Sequence, residues 1–514
     1  MKIRILFLAC STLMIASTSL GQSKSIKKID KYIESSRQLW NIPGVAVSIV
    51  KDGETLLSKG YGVKDVRTEE PVDDETLFAV ASNTKAFTAA CLAILIDEGR
   101  MSWDDRVVDY LPWFELYDPY VSQNMTVRDL LCHRSGLDTF SGDLIWYGSS
   151  HSREEVVKRA KFLEPAYGFR EHFGYQNIMF LAAGLVVEEV SGMSWDEFVK
   201  LRILDPLGME NTVSTIRDFT PSTNLAAPHN LQPDGTNLAI DWVNWDNIAP
   251  AGSLVSSVED MSHWLQAQVN LGEYYGEKLW SEDRAYEMWE LQTPESISGW
   301  SRANFPTKTF AGYALGWEIE NLYGHKIVSH GGGYDGMISK TIMIPDEKIG
   351  IVIVTNSINW LSSALGNYIL DELIGDGADR DWAADYLGFK TGQDEAFAAA
   401  NAEAEANRAK DSKPSLALEA YAGTYGGPMY GDCTVTVEGD HLAFKFEPTP
   451  LFQGTFTHWQ HDSFKLDWTT DMMLPSGLVQ FILNPQGEIE EMIIDVPNPD
   501  FYFTELEFKR SSKR

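Results

Sequence analysis

The chain has 514 residues, of which 44% are hydrophobic and 12% aromatic, and its formal net charge is −32. This composition is typical of a folded globular protein, and the length predicts two or three domains rather than one. A strongly acidic surface repels phosphate backbones and anionic lipid, so it argues against nucleic acid as a partner.

The first 21 residues predict a secretory signal peptide. Lys2 and Arg4 precede a mostly apolar run from Ile5 to Ile15, and small residues follow as far as Gly21. The apolar run is too short to be a convincing membrane span. We therefore expect cleavage after Gly21 and an exported protein, periplasmic or secreted, that has no membrane span.

Strand-like segments lie at two distant places in the chain. Near the N-terminus, a helix-like segment from Ile26 to Trp40 is followed by a predicted hairpin of Val45–Val50 and Glu54–Gly60. Strand patterns return at Tyr313–Glu320, Lys326–His330, Ser339–Ile344 and Ile349–Thr355. Together they predict an antiparallel sheet of roughly five strands.

Between these strand segments the sequence predicts helices and loops. The apolar periodicity favours helices at Thr84–Glu98, Thr126–His133, Ile178–Val190 and Val258–Val269. A sheet built from both ends of a region, with a helical insert, predicts an α/β (α+β) fold with a separate helical lobe. A cleft between the sheet and such a lobe is a natural place for an active site.

The C-terminal part differs in composition from the rest. Residues 375–414 are rich in Ala, Asp, Glu, Asn and Lys, which indicates a polar helical linker. Beyond it, apolar and polar residues alternate between turns, which predicts a small all-β, barrel-like domain. The predicted organisation is therefore a signal peptide at 1–21, a main domain at 22–374, a linker at 375–414 and the β domain at 415–514.

A serine and a lysine three residues apart open the apolar helix, in the sequence Val80-Ala81-Ser82-Asn83-Thr84-Lys85. This spacing places Ser82 and Lys85 on one helix face, one turn apart. The positive end of the helix dipole favours an oxyanion, and a partly desolvated lysine there can act as a base. Ser25 and Lys28 have the same spacing, but we interpret them as the solvated start of the first helix.

Tyr175-Gln176-Asn177 is a second candidate motif, and it directly precedes a predicted helix. A phenol near a lysine can pass a proton to a leaving group, and an amide can hold a substrate carbonyl. The alternative is that Tyr175 packs in the core and Asn177 caps the helix.

The third candidate motif is His330-Gly331-Gly332-Gly333, at the end of a predicted strand. Glycines there allow a substrate to lie against the strand and leave a backbone N–H for an oxyanion hole. The alternative is that the glycines serve only the geometry of a turn or bulge.

The order of these three motifs resembles the penicillin-recognising serine hydrolases, in the branch of class C β-lactamases, D-amino-acid peptidases and related esterases. Further stretches that resemble this family are Thr126 to Leu137, Asp205-Pro206-Leu207-Gly208-Met209 and Pro250-Ala251-Gly252-Ser253-Leu254. The resemblance extends from about Ile26 to Ile374. The C-terminal β region is similar to the accessory domain of some family members.

The resemblance implies a role for each motif residue. Ser82 is then the nucleophile, and Lys85 and Tyr175 share the proton transfer, with either of them as the acylation base. Asn177, His330, Gly331 and Gly332 would contact the substrate. The backbone N–H groups of Ser82 and Gly333 would form the oxyanion hole.

One departure from the family pattern affects the expected substrate. Many β-lactamases and transpeptidases have Lys-Thr-Gly where this chain has His330-Gly331-Gly332. A mostly neutral imidazole holds a substrate carboxylate less well than a lysine does. We therefore expect an acyl-enzyme hydrolase of small peptides, including D-amino-acid-containing ones, or of amides or esters. The alternatives are a β-lactamase and a non-catalytic binding protein with the same fold.

No cofactor or metal is expected. The sequence has no phosphate-binding glycine-rich loop and no dinucleotide-binding fingerprint. The cysteines that remain after signal cleavage are too scattered for a disulfide framework or a metal site: Cys91, Cys132 and Cys433.

Overall fold

The computed structural model describes residues 24–511, except 376, 378–379, 471–472, 499 and 507. The predicted signal peptide therefore lies outside the described residues. The described chain forms a mixed domain of a large sheet and a helical lobe, followed by a long helix and a β-barrel, as the predicted fold class requires.

The large sheet has eight antiparallel strands in the order β2-β1-β14-β13-β12-β11-β10-β9. Its strands are β1 Gly44–Lys51, β2 Glu54–Gly62, β9 Thr293–Pro294, β10 Ala311–Tyr313, β11 Glu318–Leu322, β12 His325–Tyr334, β13 Met337–Ile344 and β14 Ile349–Thr355. The remaining short strands form three two-stranded sheets: β3 Phe78–Ala79 with β6 Val255–Ser256, β4 His229–Leu231 with β5 Asn237–Ala239, and β7 Glu273–Tyr274 with β8 Glu277–Lys278.

The predicted count of roughly five strands was too low. The segment Tyr313–Glu320, expected as one strand, divides into β10 and β11, because the chain turns at Gly316 with a φ of +79°. Strand β9 has only two residues, which is too short for an alternating pattern to show. The N-terminal hairpin joins the later strands through the pairing of β1 with β14, where Val45 lies opposite Thr355.

Helices cover the sheet and form the lobe beside it. They are α1 24–39, α2 Thr84–Asp97, α3 Val107–Tyr110, α4 Pro119–Asn124, α5 Val127–Leu130, α6 Arg153–Arg159, α7 Asn177–Ser191, α8 Trp195–Val199, α9 Asp205–Leu207, α10 Ala249–Gly252, α11 Val258–Val269, α12 Glu282–Met288, α13 Gly299–Asn304, α14 Leu361–Leu373, α15 Trp382–Ala406 and α16 Leu418–Tyr421.

Two of these helices, α2 and α7, form the centre of the lobe. Nearly every side chain of α2 from Thr84 to Leu95 is buried, and so is every residue of α7 from Asn177 to Val187. Gly184 allows this close packing, because a Cβ at that position would overlap the ring of Pro250 in α10. The two helices carry the first two motifs at their N-terminal ends.

The region predicted as a polar linker contains α15, and its first residues are not solvated. The side chains of Trp382 and Ala383 are 1% and 0% exposed and belong to the core between α1, α14 and the sheet. Trp40 donates its indole N–H to the Ala383 carbonyl oxygen at 3.0 Å. Most of the later residues of α15 are exposed.

The C-terminal domain is a closed antiparallel barrel, which agrees with the predicted barrel-like domain. Its eight strands are β15 Gly423–Gly427, β16 Gly431–Glu438, β17 His441–Phe446, β18 Gln453–Gln460, β19 Ser463–Trp468, β20 Gly477–Leu483, β21 Ile489–Asp495 and β22 Phe508–Arg510. Aromatic residues fill its interior, since Phe444, Phe456 and Phe481 are all at most 3% exposed.

Among the described helices, no single one is both long enough and apolar enough to cross a membrane. The pair Asn177–Ser191 and Trp195–Leu207, bent by 77°, passes that test together by length and composition only.

Candidate active site

Ser82 lies on a short turn between β3 and α2. Residues Ala81–Asn83 form a 3₁₀ turn, and Ala81 has a φ of +46°, in the left-handed region that alanine rarely adopts. The strain is held by packing, because Ala81 is fully buried and the Val80 N–H donates to the Leu254 carbonyl oxygen at 2.9 Å. The turn places Ser82 at the N-terminal end of a 14-residue helix.

Asn83 fixes this turn to the large sheet, and the sequence analysis did not identify it. Its amide nitrogen donates to the Val80 carbonyl oxygen at 3.0 Å and to Ser339 Oγ on β13 at 2.8 Å. Its Oδ1 accepts a hydrogen bond from Thr341 Oγ1 at 2.5 Å. Asn83 therefore locks the serine turn onto β13 from inside the core.

Lys85 is the second residue of α2, and its whole side chain is buried. Its Nζ is 3.1 Å from Ser82 Oγ, 2.6 Å from Asn177 Oδ1 and 2.9 Å from the Ala251 carbonyl oxygen. Three acceptors are the full complement of an ammonium group. The structure therefore brings the Ser82–Lys85 pair and the Tyr175–Asn177 motif together.

Asn177 is the first residue of α7, but it does not cap that helix through its side chain. Its amide nitrogen instead donates to Asp143 Oδ2 at 2.6 Å, while its Oδ1 faces Lys85. Asp143 is 3% exposed, and its other oxygen accepts a hydrogen bond from Trp146 Nε1 at 2.8 Å. Asp143 is a second site residue that the sequence analysis did not identify.

Burial changes the protonation of the two charged groups in this network. It lowers the pKa of Lys85 to about 7, against the opposing effect of the Asp143 carboxylate. Burial also raises the pKa of Asp143 to about 7, although hydrogen bonds from Trp146 and Asn177 favour its charged form. Both groups can therefore change protonation near neutral pH.

Tyr175 lies against the lysine from the other side. Lys85 Nζ is 4.7 Å from the centre of the Tyr175 ring, and the tilted ring of His133 packs against that ring with 4.1 Å between the ring centres. Burial raises the pKa of Tyr175 well above its ordinary value, although a hydrogen bond with Ser82 acts in the opposite direction. The phenol is therefore protonated at neutral pH and lies within reach of Ser82.

The third motif lies on β12, and its residues have different surroundings. His330 is 2% exposed, with Nε2 2.7 Å from the Tyr313 hydroxyl and Nδ1 2.5 Å from the Gly331 carbonyl oxygen. Burial lowers its pKa to about 4, so the imidazole is neutral at pH 7. Gly331 and Gly333 line the cavity, whereas Gly332 packs against Val80 and Ser339.

A cavity of about 820 Å³ opens over Ser82 between the sheet and the helical lobe. Tyr175, Asn177 and His330 line it together with Ser82, so the three predicted motifs meet in one place. The barrel supplies a further wall, which the sequence analysis did not expect. The barrel residues on this wall are Met473, Leu474, Asn498, Asp500 and Phe501.

The barrel is attached to the lobe beside Asp143. The ring of Phe501 lies 4.4 Å from that of Tyr147, and Glu505 accepts a hydrogen bond from the Gly142 backbone N–H at 2.9 Å. Ser150 donates its backbone N–H to the Pro448 carbonyl oxygen at 2.8 Å. The barrel and the loop that carries Asp143 therefore form one packed unit.

Within the part of the chain that the structure describes, no group of three or more His, Cys, Asp or Glu side chains is arranged to hold a metal ion. The cysteines Cys91, Cys132 and Cys433 are buried and free.

Residues 29–375 match the family model described as Beta-lactamase, and residues 407–510 match a domain of unknown function, DUF3471. The chain is similar to the unguisins hydrolase ungD of Aspergillus violaceofuscus (strain CBS 115571), with 28% identity over 431 residues, 78% of this chain and 75% of that protein. The fold resembles the octameric penicillin-binding protein homologue from Pyrococcus abyssi, with a TM-score of 0.61 and 23% identity over 92% of this chain and 98% of that one. It also resembles SurE with D-Leu, with a TM-score of 0.54 and 19% identity over 95% of this chain and 100% of that one.

Proposed function

The chain belongs to the Beta-lactamase family, and on that premise we propose that it hydrolyses small peptides or esters through an acyl-enzyme on Ser82. Lys85 is the general base for acylation in this proposal. Tyr175 passes the proton to the leaving group, and Asn177 orients Lys85 and the substrate carbonyl. The backbone N–H groups of Ser82 and Gly333 hold the oxyanion.

The hydrogen bonding of Lys85 is the observation that carries this proposal. A neutral amine has two N–H donors and one lone pair, and Asn177 Oδ1 and the Ala251 carbonyl oxygen accept both donors. The lone pair is then directed at Ser82 Oγ, 3.1 Å away. A lysine with a pKa of about 7 is partly neutral at physiological pH and suited to take the serine proton.

The same contacts account for each proton in the reaction. Ser82 Oγ attacks the substrate carbonyl carbon, and its proton moves to Lys85 Nζ, which becomes an ammonium with three acceptors. When the C–N or C–O bond breaks, Tyr175 donates its proton to the leaving amine or alcohol and regains one from Lys85. Water then attacks the acyl-enzyme, gives one proton to the base, and releases Ser82 and the carboxylic acid.

Two features of the third motif support substrates without an anchoring carboxylate, and one relative supports a hydrolase. His330 is neutral and buried where a lysine would attract a carboxylate, and Gly331 offers no hydroxyl. A relative whose name describes it as a hydrolase of unguisins aligns over most of this chain. Efficient β-lactam hydrolysis is the second candidate because of the family, and a nitrocefin assay distinguishes it from the first.

Labelling and turnover of single-residue variants test the proposal. We expect Ser82→Ala to lose at least about 10⁴-fold in kcat for an activated ester and all labelling by a fluorophosphonate, with a nearly unchanged melting temperature. Lys85→Ala should lose a comparable factor, because a serine hydroxyl without a base is a weak nucleophile.

Ser25→Ala provides a matched control, because Ser25 and Lys28 repeat the spacing of Ser82 and Lys85 at the partly exposed start of the first helix. This control should keep full activity. Turnover by folded Ser82→Ala at the wild-type rate would contradict the nucleophile assignment. Near wild-type acylation of Lys85→Ala would transfer the base role to Tyr175. A wild-type protein that binds peptides but is never acylated would favour a binding protein.

A further inference from the structure

Asp143 accepts a hydrogen bond from the Asn177 side chain, which itself accepts one from Lys85. It opens the 3₁₀ turn Asp143–Ile145, directly after Gly142, whose φ of +83° lets the chain turn into the cavity floor. Its carboxylate accepts one hydrogen bond on each oxygen, from Trp146 Nε1 at 2.8 Å and from Asn177 Nδ2 at 2.6 Å. With both oxygens engaged, the carboxylate has one orientation.

This arrangement decides which end of the Asn177 amide faces the lysine. An asparagine side chain presents an acceptor oxygen at one end and a donor nitrogen at the other. The reverse orientation would turn the carbonyl towards the Asp143 carboxylate and the NH₂ group towards the N–H donors of Lys85. Both contacts would be repulsive, so Asp143 keeps Asn177 Oδ1 towards Lys85 Nζ, at 2.6 Å.

We propose that Asp143 is a positioning residue for acylation, which acts through Asn177 to direct the Lys85 lone pair at Ser82. The inference rests on the proposed function, since it assigns no role to Asp143 without a lysine base. The carboxylate charge also favours the ammonium that forms when Lys85 takes the serine proton, since it raises the pKa of Lys85. A buried carboxylate that orients a base and stabilises its protonated form is the third member of serine triads in other folds.

The charge of Asp143 gives a signature that a merely structural residue would not have. The titratable groups around this network are Lys85 on α2, Tyr175 before α7, His133 after α5, His330 on β12 and Asp500 of the barrel. The Asp143 carboxylate, which these groups surround, raises the pKa of Lys85. Removing its charge lowers that pKa, so the rising limb of kcat/KM against pH should move to lower pH.

The test is Asp143→Asn, which keeps the shape of the side chain and removes its charge. We expect kcat for an activated ester to fall about 10- to 100-fold, in the range found when an orienting partner is removed, with little change in KM. In the plot of kcat/KM against pH, the rising limb near pH 7 should move to lower pH, and the plateau value should fall. Asp138→Asn is the matched control, because Asp138 is exposed on the same loop and is outside the cavity lining.

A double-mutant cycle shows whether Asp143 acts through Asn177. If it does, adding Asp143→Asn to Asn177→Ala should cost clearly less than Asp143→Asn costs in the wild type, because the link through the amide is already broken and only the direct charge effect on Lys85 is left. Fully additive losses would overturn the proposed route. Unchanged kcat and an unmoved pH profile in folded Asp143→Asn would overturn the positioning role.

Two measurements separate the inference from the proposed function and from misfolding. If fluorophosphonate does not label the wild type at Ser82, the proposed function fails. If the wild type is labelled and Asp143→Asn behaves identically, only the inference fails. Should Asp143→Asn not fold, Trp146→Phe removes the other hydrogen bond and keeps the carboxyl group. Because that hydrogen bond favours the charged form of Asp143, its loss should lower kcat about fivefold and move the rising limb to lower pH by less than the loss of the carboxylate would. An unchanged kcat in this variant would also overturn the inference.

Discussion

Replacing Gly332 with alanine tests how tightly the third motif is coupled to the nucleophile. A Cβ on Gly332 would overlap the Val80 carbonyl oxygen and Ser339 Oγ, both well inside 3.0 Å, and would lie 3.1 Å from Asn83 Nδ2. Ser339 Oγ can rotate, but the Val80 oxygen belongs to the backbone. Because Val80 is two residues before Ser82, the serine turn has to move by roughly half an ångström or more.

The expected result of Gly332→Ala follows from that displacement. Overpacking of a close backbone contact costs about 1–3 kcal/mol of stability. A displaced nucleophile should lower kcat/KM for an activated ester up to about 100-fold. Thermal unfolding and steady-state kinetics measure the two effects separately.

Gly331→Ala is the matched control for stability, because a Cβ at Gly331 has no atom within 4 Å. The free energy of unfolding of this control should lie within about 0.5 kcal/mol of the wild-type value. If Gly332→Ala has the melting temperature and the kcat/KM of the wild type, this contact does not hold the turn at Ser82, and the prediction is refuted.

Two further predictions concern buried charge. Burial raises the pKa of Asp129, but hydrogen bonds from Arg170 and Thr126 and the charge of Arg134 outweigh it and keep the pKa below its ordinary value. The carboxylate therefore stabilises the fold above its unfolded pKa of about 4, and this contribution is lost as pH falls through the folded pKa. Asp129→Asn should cost about 3–5 kcal/mol at pH 7 and less as the pH falls through the folded pKa, and a cost independent of pH by denaturant titration would contradict the sign. His330→Lys with Gly331→Thr should favour a carboxylate-bearing ester over its neutral analogue by about 10- to 100-fold in relative kcat/KM, and an unmoved ratio in the folded variant would show that position 330 does not contact substrate.

The part of the site that the sequence predicted is the part that depends on local spacing. Ser82 and Lys85 are one helical turn apart, and an apolar helix after them was visible in the sequence. The structure places Ser82 in the turn before that helix, and the left-handed Ala81 that creates the turn has no sequence signal, because alanine is uncommon there.

The unpredicted residues act across long separations in the chain. Asp143 reaches Asn177 over 34 residues, and Asn83 reaches Ser339 over 256. An aspartate in a loop is usually a turn residue, and no periodicity reveals that it turns inward. The same holds for the strands: β10 and β11 were merged in the prediction because Gly316 is one glycine between two apolar runs.

The carboxyl side chains around the cavity bear on the binding of a substrate carboxylate, as the neutral His330 does. The described lining contains six carboxyl side chains and no lysine or arginine, and the carboxyl residues are Asp143, Glu295, Glu318, Glu320, Asp335 and Asp500. Lys85 is not part of this lining, and its charge changes as it takes up and releases a proton. Burial raises the pKa of Asp143 and Glu295 to about 7 and that of Asp335 to about 6, so the lining is only partly charged at neutral pH. We expect a penicillin carboxylate to find no cationic anchor on this wall, and its binding should weaken further as the pH rises and these groups ionise. Since Asp500 belongs to the barrel and also lines the cavity, we expect the second domain to contribute to the substrate preference.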